Sequence, residues 1–167
     1  MKLLEVSHLK KVYTTRFGGS KVTALQDVSF TVEQGEYVAV MGESGSGKTT
    51  LLNILAALDR PTEGEVLLNG MNIVKIPERT LAAFRREHLG FVCQDFKLLD
   101  SFSLKDNIFL PLVLSGMKYE EMNRRLQPIA KELGIYELLP KFPYEVSGGQ
   151  KQRCAVARAI IPDPQLI

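Results

Sequence analysis

One stretch of the chain constrains its fold more than any other. It reads, in order, Gly42, Glu43, Ser44, Gly45, Ser46, Gly47, Lys48 and Thr49. An apolar, β-rich run precedes it at residues 37–41, and a run suited to a helix follows at residues 50–58. A strand, a glycine-rich loop of the form G-x-x-x-x-G-K-[ST] and a helix make a phosphate-binding loop, in which backbone N–H groups and a helix N-terminus surround an anion. The sequence therefore predicts a site for a nucleoside triphosphate.

The polar side chains of this stretch have separate predicted roles. Lys48 is expected to reach the β- and γ-phosphates, and the hydroxyl of Thr49 is expected to bind Mg²⁺, with Thr50 beside them. The glycines allow left-handed φ and a close approach of the backbone to the ligand. The alternative is an ordinary glycine-rich turn followed by a lysine, and the flanking strand and helix disfavour it.

Composition narrows the class of protein. A chain of 167 residues with 45% hydrophobic and 24% charged residues is typical of about one soluble globular domain. The net charge of +2 is too small to indicate a nucleic-acid partner. Cys93 and Cys154 lie far apart in the sequence, which favours buried free thiols in a reducing compartment. We therefore predict a cytoplasmic protein that does not bind nucleic acid.

Periodicity and turn signals predict the secondary structure. Strands are expected at residues 3–13, 22–32, 37–41, 65–68 and 90–93. Helices are expected at residues 50–58, 77–89, 104–114, 119–133 and 147–161. Pro111 is expected to end or kink its helix, and Pro128 to bend or split the next one. Residues 96–146 thus form an all-helical insertion between two sheet elements.

Three further features narrow the family. Val146 precedes Ser147, Gly148, Gly149 and Gln150, and these are followed by Lys151, Gln152 and Arg153. Gln94 ends a predicted strand just before the helical insertion, and Tyr13 precedes a variable loop. With the phosphate loop, these motifs resemble the signature, the Q-loop glutamine and the adenine-stacking aromatic of ATP-binding-cassette (ABC) ATPases. Val146 departs mildly from the usual leucine of the signature.

The resemblance covers the whole chain, and it implies a fold and a domain organisation. It implies an α/β protein with a P-loop NTPase core built on a mainly parallel sheet, an N-terminal antiparallel β-subdomain and an inserted α-helical subdomain. Residues 1–95 would form the core and the β-subdomain, residues 96–146 the helical subdomain, and residues 147–167 the signature helix and the start of the next strand. Residues 91–112 look most like the class that works with macrolide, bacitracin-type and lipoprotein-release permeases.

The resemblance also implies the roles of individual residues. Gln94 would bind Mg²⁺ or hold the attacking water, and residues 147–150 would bind the γ-phosphate of a second subunit in a head-to-tail dimer. Tyr13 would stack on adenine, with Phe17 as a weaker alternative. From the residues alone, Gln94 could be a solvent-facing side chain, Ser147 an ordinary helix cap, and Tyr13 a half-buried strand residue.

Members of this family continue with an apolar strand that ends in Asp-Glu, where the aspartate supports Mg²⁺ and the glutamate polarises water. These 167 residues stop where that strand would begin, and Asp95, Asp100 and Asp163 do not replace it. We therefore expect the larger part of a longer protein, with Lys48 and Gln94 among its catalytic residues. We expect the 167-residue chain alone to be inactive.

The function predicted from the sequence is that of a transporter ATPase subunit. The resemblance implies ATP and Mg²⁺ as cofactors, and as partners a second copy of the subunit and an integral-membrane permease that docks on the helical subdomain. The protein would lie at the cytoplasmic face of the membrane. Two alternatives remain open, a nucleotide-binding fragment without catalysis and a non-transport ABC ATPase of the cell-division type. Small GTPases are disfavoured, since the sequence has no Asn-Lys-x-Asp element.

Overall fold

The computed structural model describes residues 1–14 and 19–167. The chain divides into two compact units, Met1–Leu81 and Ala82–Ile167. None of the helices in the described ranges is long and apolar enough to cross a membrane.

The first unit is built on an antiparallel sheet. It contains four strands, β1 (Lys2–Thr14), β2 (Lys21–Glu33), β3 (Glu63–Leu68) and β4 (Met71–Asn72). They lie in the order β2-β1-β3-β4 and every neighbouring pair is antiparallel. Leu4 and Val6 of β1 are buried and lie opposite the buried Leu68 and Val66 of β3, so one face of the sheet is apolar.

A bulge interrupts β1 at His8. His8 has a φ of 50°, and the pairing of β1 with β3 shifts between Ser7 and Lys10. The extra residue moves Leu9, which is fully buried, onto the apolar face that Leu4 and Val6 occupy. On β3, a Cβ at Gly64 would lie 2.4 Å from the carbonyl oxygen of His8, so only glycine fits beside the bulge.

Helix α1 (Lys48–Leu55) lies between strands β2 and β3 in the chain, and helix α2 (Glu78–His88) comes after β4. Helix α1 buries Leu51, Ile54 and Leu55. The Asn69-Gly70 turn joins β3 to β4, with positive φ at both residues, which is typical of a tight hairpin turn. Helix α2 runs from the end of the first unit into the second.

The second unit is helical. Its helices are α3 (Leu104–Leu114), α4 (Tyr119–Glu132) and α5 (Gly148–Ile160). They share an apolar core whose least exposed members are Leu104, Ile108, Leu126, Ala130, Ile135, Cys154 and Ala157. The helices predicted within residues 96–146 are therefore present, and the predicted bounds of α3 are those observed.

Asn107 is the buried polar residue within this core, with no exposed area. Its Oδ1 accepts from the N–H of Leu99 at 2.8 Å, and its Nδ2 lies 3.0 to 3.1 Å from the carbonyl oxygens of Leu99, Phe102 and Ser103. These contacts hold the segment before α3 against the first turn of that helix. A buried amide with all these partners is stable where an unpartnered one would not be.

Both prolines lie inside helices. Helix α3 continues past Pro111 to Leu114, and α4 continues past Pro128 to Glu132. Pro111 therefore does not end its helix and Pro128 does not split its helix, while a kink at Pro111 and a bend at Pro128 stay predictions. The apolar face that each helix buries outweighs the loss of one backbone hydrogen bond.

Two predicted strands are not formed. Residues 37–41 adopt no regular structure, with Tyr37 95% and Met41 87% exposed. Residues 90–93 are likewise irregular, and only an isolated parallel bridge joins Leu89 to Leu166 beside them. A parallel strand exists only when neighbours accept and donate its backbone hydrogen bonds, and the described residues supply these two runs with no such ladder.

The two cysteines differ in their surroundings. Both are free thiols, but only Cys154 is buried, whereas Cys93 is half-buried. The prediction of a buried thiol is thus right for Cys154 and wrong for Cys93, because residue 93 lies in an irregular segment and not in a central strand. Burial raises the pKa of the Cys154 thiol to about 12.

Candidate nucleotide-binding site

The phosphate loop lies against strand β2. Gly47 is the residue that precedes α1, and its φ is 90°. A Cβ at this position would lie 2.4 Å from the carbonyl oxygen of Ala24 and 2.9 Å from Leu25 Cδ2. The left-handed backbone and the close approach both require glycine, and together they fix where helix α1 begins.

The ammonium group of Lys48 closes the loop on itself. Its Nζ donates to the carbonyl oxygens of Gly42 at 2.7 Å and Glu43 at 2.6 Å, and lies 3.4 Å from Ser46 Oγ. An ammonium group has three donors, and it binds charged phosphate oxygens more strongly than neutral carbonyl oxygens. Phosphate oxygens can therefore replace these carbonyl oxygens as partners of Lys48. The positive charge of Lys48 is thus already held beside the first residues of the loop, Gly42 and Glu43.

The N-terminus of α1 lacks an internal partner. No side chain among the described residues caps it, and its first turn, which is fully described, contains no acidic residue. The first N–H groups of a helix have no intrahelical acceptor, and the helix dipole favours a negative charge there. With exposed loop residues in front of it, this helix start is suited to an external anion.

Tyr13 lies on β1, near the strand segment that borders the loop. Lys11 of β1 pairs with Leu25 of β2, the residue that Gly47 approaches. Tyr13 is 43% exposed, and the ammonium group of Lys11 lies 4.8 Å from the centroid of its ring. An exposed aromatic ring in this position is able to stack on a base. The alternative platform, Phe17, lies outside the described residues.

Asp59 was not predicted from the sequence, and it holds the side chain of Tyr13 in place. Its Oδ2 accepts from the Tyr13 hydroxyl at 2.8 Å and its Oδ1 accepts from Lys11 Nζ at 2.7 Å. Burial opposes ionisation, but hydrogen bonds from Lys11, Tyr13 and the backbone of Arg60 outweigh it and hold the pKa of Asp59 below its ordinary value. The turn signals after α1 are the only sequence feature near it.

Gln94 lies in the second unit. It is exposed and occupies a turn in which the N–H of Phe96 donates to the carbonyl oxygen of Cys93 at 3.0 Å. Lys97 forms a 2.5 Å ion pair with Asp95, and its hydrogen bond holds the pKa of Asp95 below the ordinary value. The side-chain amide of Gln94 is therefore exposed, on a turn that the Phe96–Cys93 hydrogen bond and the Lys97–Asp95 ion pair hold in place.

The signature residues begin helix α5, also in the second unit. Ser147 Oγ accepts from the N–H of Gln150 at 3.4 Å, and Gln150 Oε1 accepts from the N–H of Ser147 at 2.9 Å, which is a capping box. A Cβ added at Gly148 or at Gly149 has no described atom within 4 Å. The space in front of these glycines is thus open to a ligand.

The predicted site residues are divided between the two units. The phosphate loop and Tyr13 belong to the first unit, while Gln94 and the signature belong to the second. No group of three or more His, Cys, Asp or Glu residues that could hold a metal occurs in the described part of the chain. Mg²⁺ commonly uses one or two protein ligands and the phosphates of its substrate, and the hydroxyl of Thr49 and the amide oxygen of Gln94 are hard oxygen ligands of the kind it takes.

Comparison with known proteins decides the family. The family model described as ABC transporter matches residues 25–167. The chain belongs to the ABC transporter family. It is 51% identical over 165 residues to the ABC transporter ATP-binding protein YxdL of Bacillus subtilis, covering 99% of this chain and 63% of YxdL. It is 42% identical over 167 residues to the bacitracin export ATP-binding protein BceA of Halalkalibacterium halodurans, covering 100% of this chain and 65% of BceA. The chain thus spans a little under two thirds of the length of these relatives.

A solved ABC cassette shows the same fold. The dimeric post-hydrolysis structure of the cassette MJ0796, bound to ADP and phosphate, is 35% identical, with a TM-score of 0.86. The alignment covers 96% of this chain and 70% of that one. The predicted fold class and the predicted bacitracin-type resemblance of this ABC protein are therefore confirmed, and its antiparallel sheet and helical insertion are the parts of that fold described above.

Proposed function

We propose that the protein is the ATP-binding subunit of an ABC transporter. It couples binding and hydrolysis of MgATP, in a head-to-tail dimer of two copies, to export or release of a peptide, drug or lipid-type substrate through a partner permease. The observation that carries the proposal is the Lys48 ammonium group, held on the carbonyl oxygens of Gly42 and Glu43 in front of the uncapped start of α1. The similarity to YxdL, an ABC transporter ATP-binding protein, and to BceA, a bacitracin export ATP-binding protein, supports the transport role.

In the first unit, the loop residues bind the triphosphate. The N–H groups that follow Ser44, Gly45 and Gly47 surround the phosphate oxygens, and Lys48 neutralises their charge. Thr49 and Thr50 lie at the start of α1, where the hydroxyl of Thr49 binds Mg²⁺. Bound Mg²⁺ would neutralise charge that develops on the phosphates. Tyr13 stacks on adenine.

In the second unit, Gln94 binds the metal or orients the attacking water through its amide group. The signature residues 147–150 act on the nucleotide of the other copy, for which the open space at Gly148 and Gly149 leaves room. Helices α3 and α4 supply the surface on which the permease docks, and this contact places the protein at the cytoplasmic face of the membrane. The cargo is recognised by the permease.

Nucleotide binding tests the site directly. We expect Lys48→Ala to lose most affinity for ATP while its melting temperature stays close to that of the wild type, since Lys48 supplies charge and not core packing. Lys75→Ala, an exposed lysine of the same unit, is the matched control and should bind normally. Wild-type affinity in Lys48→Ala, measured by calorimetry, would refute the assignment of the loop.

Phosphate release and co-purification test the rest. We expect the 167-residue chain to bind ATP without releasing phosphate, and turnover abolished by Lys48→Ala would overturn that expectation. Recovery of a permease with the full-length protein from membranes supports a transporter subunit. Recovery of division proteins without a permease would support the cell-division alternative.

A further inference from the structure

The segment after helix α1 is tied to that helix through its backbone. The N–H groups of Leu58 and Asp59 both donate to the carbonyl oxygen of Asn53, at 2.8 and 3.2 Å. Asn53 lies inside α1, an eight-residue helix about 12 Å long that begins at Lys48 of the phosphate loop. Asp59 is therefore attached to one end of a helix whose other end belongs to the phosphate loop.

The same segment is attached to strand β1 just before Tyr13. The N–H of Thr62 donates to the carbonyl oxygen of Lys10 at 2.8 Å, and the N–H of Val12 donates to Thr62 Oγ1 at 2.9 Å. These two contacts lie on either side of residue 11 in β1. The end of the strand that carries Tyr13 is thus held against the residues that follow α1.

The side chain of Asp59 extends this attachment to the ring of Tyr13. One carboxylate oxygen accepts from the Tyr13 hydroxyl at 2.8 Å, and the other accepts from Lys11 Nζ at 2.7 Å and from the N–H of Arg60 at 2.7 Å. The side chain of Lys11 is only 13% exposed and that of Asp59 is 31% exposed. An ion pair partly removed from water is screened less than one at the surface, so this carboxylate is firmly held.

We propose that Asp59 is a positioning residue that sets where the Tyr13 ring lies relative to the phosphate loop. It contacts neither base nor phosphate in this role, since it holds the ring at one side and is attached to helix α1, through Asn53, at the other. A ligand that has both a base and phosphates then binds two prearranged parts of one site. The inference rests on the proposed function, in which Tyr13 stacks on adenine and the loop binds the phosphates.

ATP and inorganic triphosphate separate the two parts of the site. Calorimetry on the full-length protein measures the affinity of Asp59→Ala for each ligand. We expect Asp59→Ala to bind ATP about 2- to 5-fold more weakly than the wild type, because ordering a free side chain on binding costs about that much affinity. Its affinity for inorganic triphosphate should equal that of the wild type, since this ligand does not use the ring. A purely structural defect would weaken the binding of both ligands.

A double-mutant cycle isolates the hydrogen bond between Tyr13 and Asp59. Tyr13→Phe removes the hydroxyl but keeps the ring, and it should also lose affinity for ATP alone, which tests the inference even if Asp59→Ala does not fold. The double variant should bind ATP no more weakly than Asp59→Ala, because both changes remove the same contact. Asp59→Asn keeps an oxygen that accepts from the Tyr13 hydroxyl, so it should bind ATP more tightly than Asp59→Ala.

Glu63→Ala is the matched control. Glu63 is an exposed carboxylate that pairs with the neighbouring lysine of β1, Lys10, at 2.8 Å. Removing it leaves the contacts of Asp59 and Tyr13 in place, so ATP affinity should be that of the wild type.

Three results would overturn the inference. If Asp59→Ala binds ATP like the wild type, or loses affinity for inorganic triphosphate by the same factor as for ATP, Asp59 does not position the ring. If the losses of Asp59→Ala and Tyr13→Phe multiply in the double variant, the two side chains act separately. In these cases the proposed function stands as long as Lys48→Ala loses ATP, whereas wild-type ATP affinity in Lys48→Ala is the separate result that refutes the loop.

Discussion

The hydroxyl group of Tyr13 donates a 2.8 Å hydrogen bond to Asp59 Oδ2, joining strand β1 to the turn that follows helix α1. The other carboxylate oxygen of Asp59 accepts from Lys11, whose ammonium group also lies near the Tyr13 ring. Asp59 at the hydroxyl end of Tyr13 and Lys11 beside its ring thus fix the plane of the ring. An aromatic held in this way loses little further freedom when a base stacks on it.

The first prediction concerns the ring of Tyr13. Tyr13→Ala should weaken ATP binding by about 1 to 3 kcal/mol, the usual contribution of stacking between a base and an aromatic side chain. Binding of inorganic triphosphate should not change, because it has no base. Tyr13→Phe retains the ring and should lose much less affinity than Tyr13→Ala, as measured by calorimetry. Equal affinity of Tyr13→Ala and the wild type for ATP would remove Tyr13 from the site.

The second prediction concerns the charge of Asp59. Its pKa in the folded protein lies below the ordinary value of 3.8, so the ionised carboxylate stabilises the fold above that pH. This contribution is lost as the pH falls through the lowered pKa. Asp59→Asn should therefore be less stable than the wild type near neutral pH, and the difference should narrow below about pH 4. Urea unfolding at several pH values measures it, and a constant difference would contradict the prediction.

The third prediction compares two glycines. Gly47→Ala should destabilise the protein by about 1 to 3 kcal/mol, because the residue has a left-handed φ and its Cβ would approach Ala24 O. Gly148→Ala, at the start of α5, meets open space and should be neutral or stabilising by up to about 1 kcal/mol. Thermal unfolding of both variants makes the comparison. Equal melting temperatures would show that the loop moves away from β2 without loss of stability.

The fourth prediction concerns the buried amide of Asn107. Asn107→Leu should destabilise the protein by about 2 to 4 kcal/mol, since the backbone groups of Leu99 and Phe102 lose their partner inside the core. Gln127→Ala, at an exposed position of α4, is the control and should change stability by about 0.5 kcal/mol at most. Denaturant unfolding monitored by circular dichroism distinguishes them. A neutral Asn107→Leu variant would mean that water replaces the amide.

Local patterns predicted most of the elements. Strands β1 and β2 follow from alternation, helix α3 from its apolar period, and the phosphate loop from its glycines and Lys48. Each of these signals lies within about a dozen residues of the element that it predicts. The information needed is therefore contained in the local sequence.

Contacts between distant positions could not be predicted in this way. Residues 37–41 and 90–93 have the composition of buried strands, yet whether such a run forms a strand depends on neighbours elsewhere in the chain. The Asp59–Tyr13 and Arg158–Phe96 contacts join residues 46 and 62 apart, and neither leaves a local pattern. The left-handed backbone of Phe96 and Lys97 is likewise a result of tertiary contacts, because neither residue type favours it.

The capping box at the start of α5 determines when the side chain of Ser147 becomes ordered. Ser147 Oγ already accepts from the N–H of Gln150, so its side chain has adopted one rotamer when the chain folds. A hydroxyl that accepts in this way still has its own hydrogen to donate. The entropy of ordering that side chain is lost during folding and not when a ligand binds, so an acceptor that binds there meets a hydroxyl oxygen already in place.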